Sequence, residues 1–314
     1  MQLLIVYDHK KREAETVDYY RENGGNVVYN LGELYYPITA RPGGAGEFSP
    51  SKALRPYIRC YWGTVPAPEA DLAGCSVLTD KPDSRKAARE IIIPDTCMDI
   101  IWEWDTATGA AGGVFCGIND TPFEVDGDGQ TAGRQRFAIR FHFWSVHLFA
   151  DEHLRDVKNF YGEVDWYFSS FRKELGERLA AARTLTERIA WAEEYLLRRL
   201  DNAGNINNGL MNAVHALLQA KGVKTVSGLS AESVLSSRQL ERLFRDYIGI
   251  SPKQTADLVR FQNVWRNLYC PTPQFRNIQD LVHSFGYSDQ SHFNNSFKRF
   301  AGQTPREALV YAGK

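Results

Sequence analysis

Apolar and polar positions divide the chain into a β-patterned first part and a helix-patterned second part. Residues 1–36 begin with an apolar run at 3–7, continue through a charged stretch and resume with apolar residues at 27–29. This order predicts a small strand–helix–strand unit. From 51 to about 166, short apolar or alternating runs are separated by turn residues, including the Asp/Gly tract at 126–129. Such a pattern predicts a β-rich sandwich or barrel.

The pattern changes to helical spacing after Trp166. Between 185 and 200, apolar residues recur every three or four positions, and the chain reads as helical from about 207 to its last residue. The apolar stripe at 185–200 needs a partner, which is either the β-rich domain or a second subunit. The chain is therefore predicted to be an α+β protein of two domains, because about 150 residues is a usual domain size. The predicted parts are an extension and linker at 1–50, a β-rich domain at 51–165, a helical linker region at 166–212 and an all-α domain at 213–314.

A repeat with a spacing of 53 residues is the most specific feature of the helical part. Residues 244–253 (FRDYIGISPK) match residues 297–306 (FKRFAGQTPR) in type at seven of ten positions. The shared glycine suits the left-handed residue that ends a helix, the Ser or Thr can cap the next helix, and proline is tolerated in its first turn. Each copy therefore encodes a helix, a tight stop and a new helix.

The helices that end at the two glycines lie at about 237–248 and 289–301. Each is preceded by a shorter helix and a turn, at 226–234 and at 278–286. The longer helices bury one apolar face and leave Arg, Asn and Gln on the other. Those side chains can hydrogen-bond base edges and phosphates. A single polar helix face is usually only solvated, but two copies in a repeat favour a pair of helix-turn-helix units.

The charge distribution supports this interpretation. The chain has 37 basic and 38 acidic residues, yet residues 215–314 alone carry 13 basic and 7 acidic side chains. The excess of positive charge therefore coincides with the repeat, and the first 214 residues are acidic overall.

The second repeat also resembles a known family. Residues 286–293 (GYSDQSHF), followed by FKRFAG at 297–302 and Thr304-Pro305, resemble the signature of the arabinose-regulator (AraC/XylS) family of bacterial transcription factors. The resemblance covers about 213–312 and is looser in the first unit, where the segment 231–236 (AESVLS) lacks the usual glycine. It implies seven helices, with two helix-turn-helix units joined by a long helix at about 252–268, and recognition helices that enter successive major-groove segments.

The resemblance also implies roles for individual residues. The candidates for reading base edges are Arg238, Gln239, Glu241, Arg242, Gln290, Ser291, His292, Asn294 and Asn295. The candidates for contacting phosphates are Arg245, Ser251, Lys298 and Thr304.

The β-patterned part resembles the cupin-like N-terminal domain of one subgroup of these regulators, in the segments 54–62 and 93–102. This resemblance implies a sensor or dimerisation domain. A pocket of aromatic and polar side chains for a small-molecule effector is one expectation, and core packing is the alternative for each aromatic residue. The candidate ligand residues are Trp102, Trp104, Arg140, His142 and Trp144, the last three sharing one face of a strand.

Other functional classes lack their motifs. The chain contains no dinucleotide, nucleotide-triphosphate, hydrolase or zinc-protease motif, so no enzyme activity or cofactor is expected. The spacing of His142, His147 and His153 does not indicate a metal site, and the five scattered cysteines do not indicate disulfides. Without a signal peptide or a long apolar run, the protein is expected to be cytoplasmic and away from membranes.

These observations predict a bacterial, ligand-responsive transcription regulator, and activation of transcription is the expected mode of control. Its expected partners are double-stranded DNA at promoter sites, a small-molecule effector, RNA polymerase if it activates, and a second copy of itself. The alternative is a small-molecule-binding or oligomerising protein whose helical tail does not read DNA.

Overall fold

The computed structural model describes residues 29–42, 46–64, 89–125, 133–203, 207–275 and 277–314. The unit predicted for 1–36 lies mostly outside these ranges, and its described part holds one short helix, α1 (Leu31–Leu34). The 126–129 tract and Cys75 also lie outside the described residues.

The first part of the chain is built on antiparallel sheets. The main sheet has six strands in the order β1-β2-β7-β4-β5-β8, and β3 pairs with β6 in a two-stranded sheet. The bounds are β1 (Glu47–Phe48), β2 (Ile58–Gly63), β3 (Glu90–Ile92), β4 (Met98–Asp105), β5 (Ala111–Cys116), β6 (Phe123–Val125), β7 (Arg134–Phe141) and β8 (Tyr161–Glu163). A 3₁₀ helix, Val146–Leu148, follows β7. The prediction of a β-rich first domain is confirmed.

The two faces of the main sheet differ because successive side chains of a strand point to opposite sides. On one face, Ile100 of β4 lies between Ile139 of β7 and Phe115 of β5, and all three are buried. On the other face a polar row crosses β2, β7, β4 and β5, consisting of Cys60, Arg140, Asp99 and Cys116. The sheet thus has one apolar face for core packing and one face that carries charge.

Helices α2 (Asp165–Ala181) and α3 (Leu185–Asn202) pack against the apolar face. The ring of Trp102 lies 6.1 Å from that of Phe171 in α2, and the Arg188 guanidinium of α3 lies 3.9 Å above the ring of Trp104. Helix α2 is kinked at Phe168, whose φ of −138° is not helical. The apolar stripe of α3 therefore packs within its own chain, which decides between the two partners left open by the sequence.

The rest of the chain is helical. Its elements are α4 (Asn208–Gln219), α5 (Val226–Ser233), α6 (Ser237–Tyr247), α7 (Pro252–Tyr269), α8 (Ile278–Ser284), α9 (Gln290–Ala301) and α10 (Pro305–Tyr311). Helix α7 is the long helix predicted at about 252–268. The α+β class with an all-α second part is confirmed.

A segment at 29–42 lies between the β-rich part and the helical part. Its Tyr35 hydroxyl is 3.1 Å from the hydroxyl of Thr96. On the other side, the buried Gln262 of α7 accepts a hydrogen bond from the Ile38 amide at 2.9 Å and donates to the Pro94 carbonyl at 2.6 Å. A buried side chain that satisfies backbone groups from two separate segments fixes the position of α7 against the β-rich part.

In the described ranges, every helix is too short or too polar to cross a lipid bilayer. The boundaries predicted at 50, 165 and 212 remain predictions, although the last strand ends at Glu163 and α2 begins at Asp165.

Candidate nucleic-acid interface

The first helix-turn-helix unit consists of α5, a turn and α6. Thr225 caps α5 by accepting from the Gly228 amide, and α5 ends at Val234, a non-glycine residue in the left-handed region with φ 56° and ψ 31°. Ser236 then caps α6 in a capping box, in which the Gln239 amide donates to the Ser236 hydroxyl and the Ser236 amide donates to the Gln239 side-chain oxygen. The turn therefore forms without the glycine that the family pattern has there.

The second unit consists of α8, a turn at Gly286 and α9. Gly286 has φ 65°, and Asp289 caps α9 by accepting from the His292 amide at 2.8 Å. This hydrogen bond is the largest cause of a lowered pKa for the Asp289 carboxyl. The carboxylate therefore stays ionised at the helix N-terminus, where negative charge is favoured by the helix dipole.

Both recognition helices are held by buried apolar faces. In α6, Leu240, Leu243 and Phe244 are buried. In α9, Phe297 packs 5.4 Å from Phe261 of α7, measured between ring centroids. Because the apolar faces are fixed in the core, the remaining face of each helix is directed outwards.

The candidate base-reading residues lie on these outward faces. Arg238, Gln239 and Arg242 are exposed and Glu241 is half-buried. Two of the four are already engaged within the protein, since Gln239 completes the capping box and Glu241 lies 3.2 Å from Arg245. Arg238 and Arg242 are therefore the better placed candidates in the first unit.

The second unit has a similar arrangement. Gln290, Ser291, His292 and Asn295 are exposed, and Asn294 is half-buried. The His292 Nδ1 atom lies 3.1 Å from the Ser288 hydroxyl, so this imidazole is oriented towards the turn. Asn295, in the second turn of α9, carries its amide on the exposed face.

The four phosphate candidates divide into two kinds. Arg245 and Lys298 are exposed cations near the ends of α6 and α9. The Ser251 and Thr304 hydroxyls instead accept from the Gln254 and Glu307 amides and cap α7 and α10. For these two, the backbone N–H groups of the following helix are the remaining donors to a phosphate.

The repeat itself is confirmed in atomic detail. Gly249 and Gly302 both have positive φ, 91° and 74°, and the residues that follow form the two capping boxes with proline in the first helical turn. Both turns continue into α7 and α10 as the sequence predicts.

The structure adds residues that the sequence did not reveal. The amide of Leu154, in the loop between the 3₁₀ helix and β8, donates to the Asp246 carbonyl at 2.9 Å. Arg155 donates to the Asp246 carboxylate at 2.6 Å. With Asp156, Arg155 faces Arg238 and Arg242 across a cleft of about 440 Å³. No periodicity or motif marks these loop residues, because the contact joins positions about 90 apart in sequence.

The five predicted ligand residues do not come together. Trp102 and Trp104 belong to the apolar face that packs on α2 and α3, whereas Arg140 lies on the polar face. Strand β7 ends at Phe141, so His142 and Trp144 follow the strand and do not share a strand face with Arg140. Their rings stack on each other at 4.4 Å, and burial lowers the pKa of His142 to about 3. The prediction that Arg140, His142 and Trp144 share one face of a strand is wrong.

Arg140 is part of a charge cluster instead. Its guanidinium donates to both Asp99 oxygens, at 2.9 and 3.1 Å, and lies 3.3 Å from Asp95. The Trp62 indole also donates to Asp99 at 3.1 Å. Burial raises the pKa of Asp95, and Arg140 opposes this effect. This cluster joins β2, β4 and β7 and has a structural role in the polar face.

Known families match both parts of the chain. A family model described as a helix-turn-helix domain matches residues 229–309, which contain most of the first unit and all of the second. This match agrees with the resemblance of the second unit to the AraC/XylS signature. A second model, described as a domain of unknown function (DUF6597), matches residues 46–163.

Curated relatives match parts of this chain. The HTH-type transcriptional regulator GlxA of Rhizobium meliloti is 35% identical over 71 residues, which are 23% of this chain and 21% of the relative. The HTH-type transcriptional regulator ArgR of Pseudomonas aeruginosa is 28% identical over 151 residues, 46% of this chain and 44% of the relative. The chain thus spans less than half the length of these relatives.

Two solved structures are similar to parts of the chain. A probable AraC family transcriptional regulator from Rhodopseudomonas palustris is 27% identical and covers 34% of this chain and 98% of that chain, with a TM-score of 0.29. ToxT from Vibrio cholerae is 9% identical and covers 72% of this chain and 95% of that chain, with a TM-score of 0.37.

Proposed function

We propose that the protein is a sequence-specific DNA-binding transcription regulator. The observation that carries the proposal is the pair of helix-turn-helix units whose recognition helices, α6 and α9, are fixed by buried faces and joined by α7. Both helices leave basic and amide side chains on exposed faces, and the surrounding hundred residues have an excess of positive charge. These are the features that place a helix in a major groove and hold it against phosphates.

Asn295 and Lys298 test the two kinds of contact. An amide that reads a base contributes discrimination of about 1–3 kcal/mol, whereas a phosphate contact contributes to all sequences alike. We therefore expect Asn295→Ala to weaken binding to the preferred duplex and to leave binding to a scrambled duplex nearly unchanged. We expect Lys298→Ala to weaken both and to lower the slope of log K against log salt by about 1.

The measurement is a titration of the full chain on a duplex selected from a random library and on its scrambled counterpart, at several salt concentrations. Asn202→Ala and Lys173→Ala provide matched controls, because both residues are exposed and lie in α3 and α2 of the N-terminal part. Equal losses on both duplexes for Asn295→Ala would contradict its base-reading role. Failure of the library to yield any preferred sequence would favour the alternative of a ligand-binding protein with a helical tail.

We further propose that the N-terminal domain passes a small-molecule signal to the DNA-binding domain. The supporting contact is Gln262, which joins α7 to the Pro94 carbonyl, four residues before β4 begins. If the two domains are coupled, DNA must change the affinity for an effector by the same factor as the effector changes the affinity for DNA. We expect hydrogen exchange at residues 94–99 to change when the selected duplex is added; unchanged exchange there would count against coupling. Dimerisation, activation and contact with RNA polymerase are further proposals from the sequence.

A further inference from the structure

Two loops of the N-terminal domain contact the two halves of the repeat at equivalent positions. A Cβ on Gly249 would lie 2.2 Å from Val157 Cγ2 and 2.5 Å from the Leu154 carbonyl, and a Cβ on Gly302 would lie 3.2 Å from Pro122 Cγ. Gly249 and Gly302 are the corresponding glycines of the repeat, 53 residues apart. The N-terminal domain therefore touches the same turn of each helix-turn-helix unit.

The first contact is reinforced by polar groups. The Leu154 amide donates to the Asp246 carbonyl, and Arg155 pairs with the Asp246 carboxylate at 2.6 Å. Leu154 and Val157 are fully buried, so this end of α6 is sealed by the loop. The hydrogen bond from Arg155 also lowers the pKa of Asp246.

The two loops form one unit. The Asn159 side chain accepts from the Asp120 amide at 3.0 Å and donates to the Asp120 carboxylate at 2.8 Å. The Asn159 amide donates to the Ile118 carbonyl at 2.7 Å, and Lys158 lies 3.2 Å from Asp120. Asn159 adopts a left-handed φ of 53°, which Asn tolerates better than most residues. A displacement of either loop would therefore be transmitted to the other.

We propose that these joined loops, residues 117–122 and 154–160, brace the two helix-turn-helix units and thereby set which separation of major-groove segments the chain accepts. The proposal rests on the proposed DNA-binding function. Helix α7 connects the two units directly. The brace in addition holds the C-terminal end of each recognition helix against the N-terminal domain. Arg155 is then a positioning residue for specificity, acting through Asp246 on α6.

The test compares DNA sites that differ only in spacing. The full chain is titrated on the selected duplex and on duplexes with one base pair inserted or deleted between the two contacted segments. Arg155→Glu places a second negative charge beside Asp246, and the double variant Arg155→Glu/Asp246→Arg restores the ion pair with its charges exchanged. Val157→Ala removes the methyl groups that contact Gly249. Arg178→Glu is the matched control, because Arg178 forms a half-exposed ion pair with Glu194 between α2 and α3.

The spacing penalty is the ratio of the Kd on a duplex of altered spacing to the Kd on the selected duplex. We expect Arg155→Glu to reduce this ratio by roughly fivefold, which is the most that an exposed ion pair usually contributes to an equilibrium constant. Val157→Ala should reduce it in the same direction, the double variant should recover it, and Arg178→Glu should match the wild type. An equal loss of affinity on all spacings would show that Arg155 only contacts phosphate and would overturn the brace. An unchanged spacing penalty in both Arg155→Glu and Val157→Ala would overturn it as well.

A second measurement needs no DNA and separates the brace from the proposed function. Hydrogen exchange of the free full-length chain is followed in peptides covering residues 244–252 and 297–305. Because the loops are joined, Arg155→Glu should accelerate exchange in both peptides. Acceleration only in 244–252, or in neither, would overturn the brace even if the wild type binds DNA specifically. If the library yields no preferred sequence, the proposed function fails and this measurement still decides whether the units are braced.

Discussion

The turn of the first helix-turn-helix unit contains a strained residue, and relieving the strain should stabilise the protein. Val234 adopts φ 56° and ψ 31° and its side chain is 89% exposed. A left-handed conformation costs a non-glycine residue about 1–2 kcal/mol, and β-branching makes Val a poor choice for it. Since almost no apolar surface of Val234 is buried, its side chain contributes little packing energy to offset that cost.

We expect Val234→Gly to raise the free energy of unfolding by about 1 kcal/mol. Glycine removes the strain, and the greater freedom of its unfolded chain takes back about 0.4–1 kcal/mol of the gain. The increase corresponds to a rise of about 4–8 °C in melting temperature for an all-α domain of about 100 residues. The assay is urea or thermal denaturation of the full chain, followed by circular dichroism.

Two further substitutions show whether the left-handed turn is the cause. Gly286→Val imposes the same strain on the second unit, with its new Cβ 3.3 Å from Val223, and should destabilise by about 1–3 kcal/mol. Val310→Gly removes another exposed valine side chain, this time from the regular helix α10, and should destabilise by about 0.5 kcal/mol. If Val234→Gly destabilises as Val310→Gly does, the strain argument is refuted.

Three other substitutions test the contacts within and between the two parts of the chain. Gln262→Leu leaves the half-buried Ile38 amide and the buried Pro94 carbonyl without their partner, so denaturation should show a loss of about 2–4 kcal/mol. Arg140→Met leaves two carboxylates unpaired in the polar face of the sheet and should lower the free energy of unfolding by about 3 kcal/mol. Because Arg155 lowers the pKa of Asp246, the charged pair contributes fully above the ordinary value of 3.8 and is lost as pH falls through the lowered pKa. Stability measured between pH 5 and pH 2 should therefore fall more steeply in the wild type than in Asp246→Asn.

The helical part could be predicted well because its signals are local. The capping residues Ser251 and Thr304 and the stops at Gly249 and Gly302 act within a few positions of the chain, and all four take their predicted roles. The sequence does not predict the left-handed turn at Val234, because valine has no preference for the conformation that it adopts there.

The N-terminal part shows what such local signals cannot supply. The alternation in β7 predicts which residues share a face, but it does not show that the strand ends at Phe141, and this end is what separates His142 from Arg140. The pair of Arg140 with Asp99 depends on the register between β7 and β4, and the contact of Arg155 with Asp246 depends on docking between domains. Both ion pairs depend on tertiary structure, and no local sequence pattern indicates which residues will meet.

The contacts between the domains imply that the two helix-turn-helix units respond together. The segment at 29–42 and Gln262 hold α7, while the joined loops hold the turns at Gly249 and Gly302. A ligand that moved only one unit would have to break the Asn159–Asp120 hydrogen bonds or bend α7, and each requires the loss of well-formed hydrogen bonds. Moving the N-terminal body as a whole would break the hydrogen bonds of Asp246 with Leu154 and Arg155 and those of Gln262, and it would release both units at once. If an effector acts through the N-terminal domain, as we propose, we therefore expect it to act on both recognition helices together and not on a single helix.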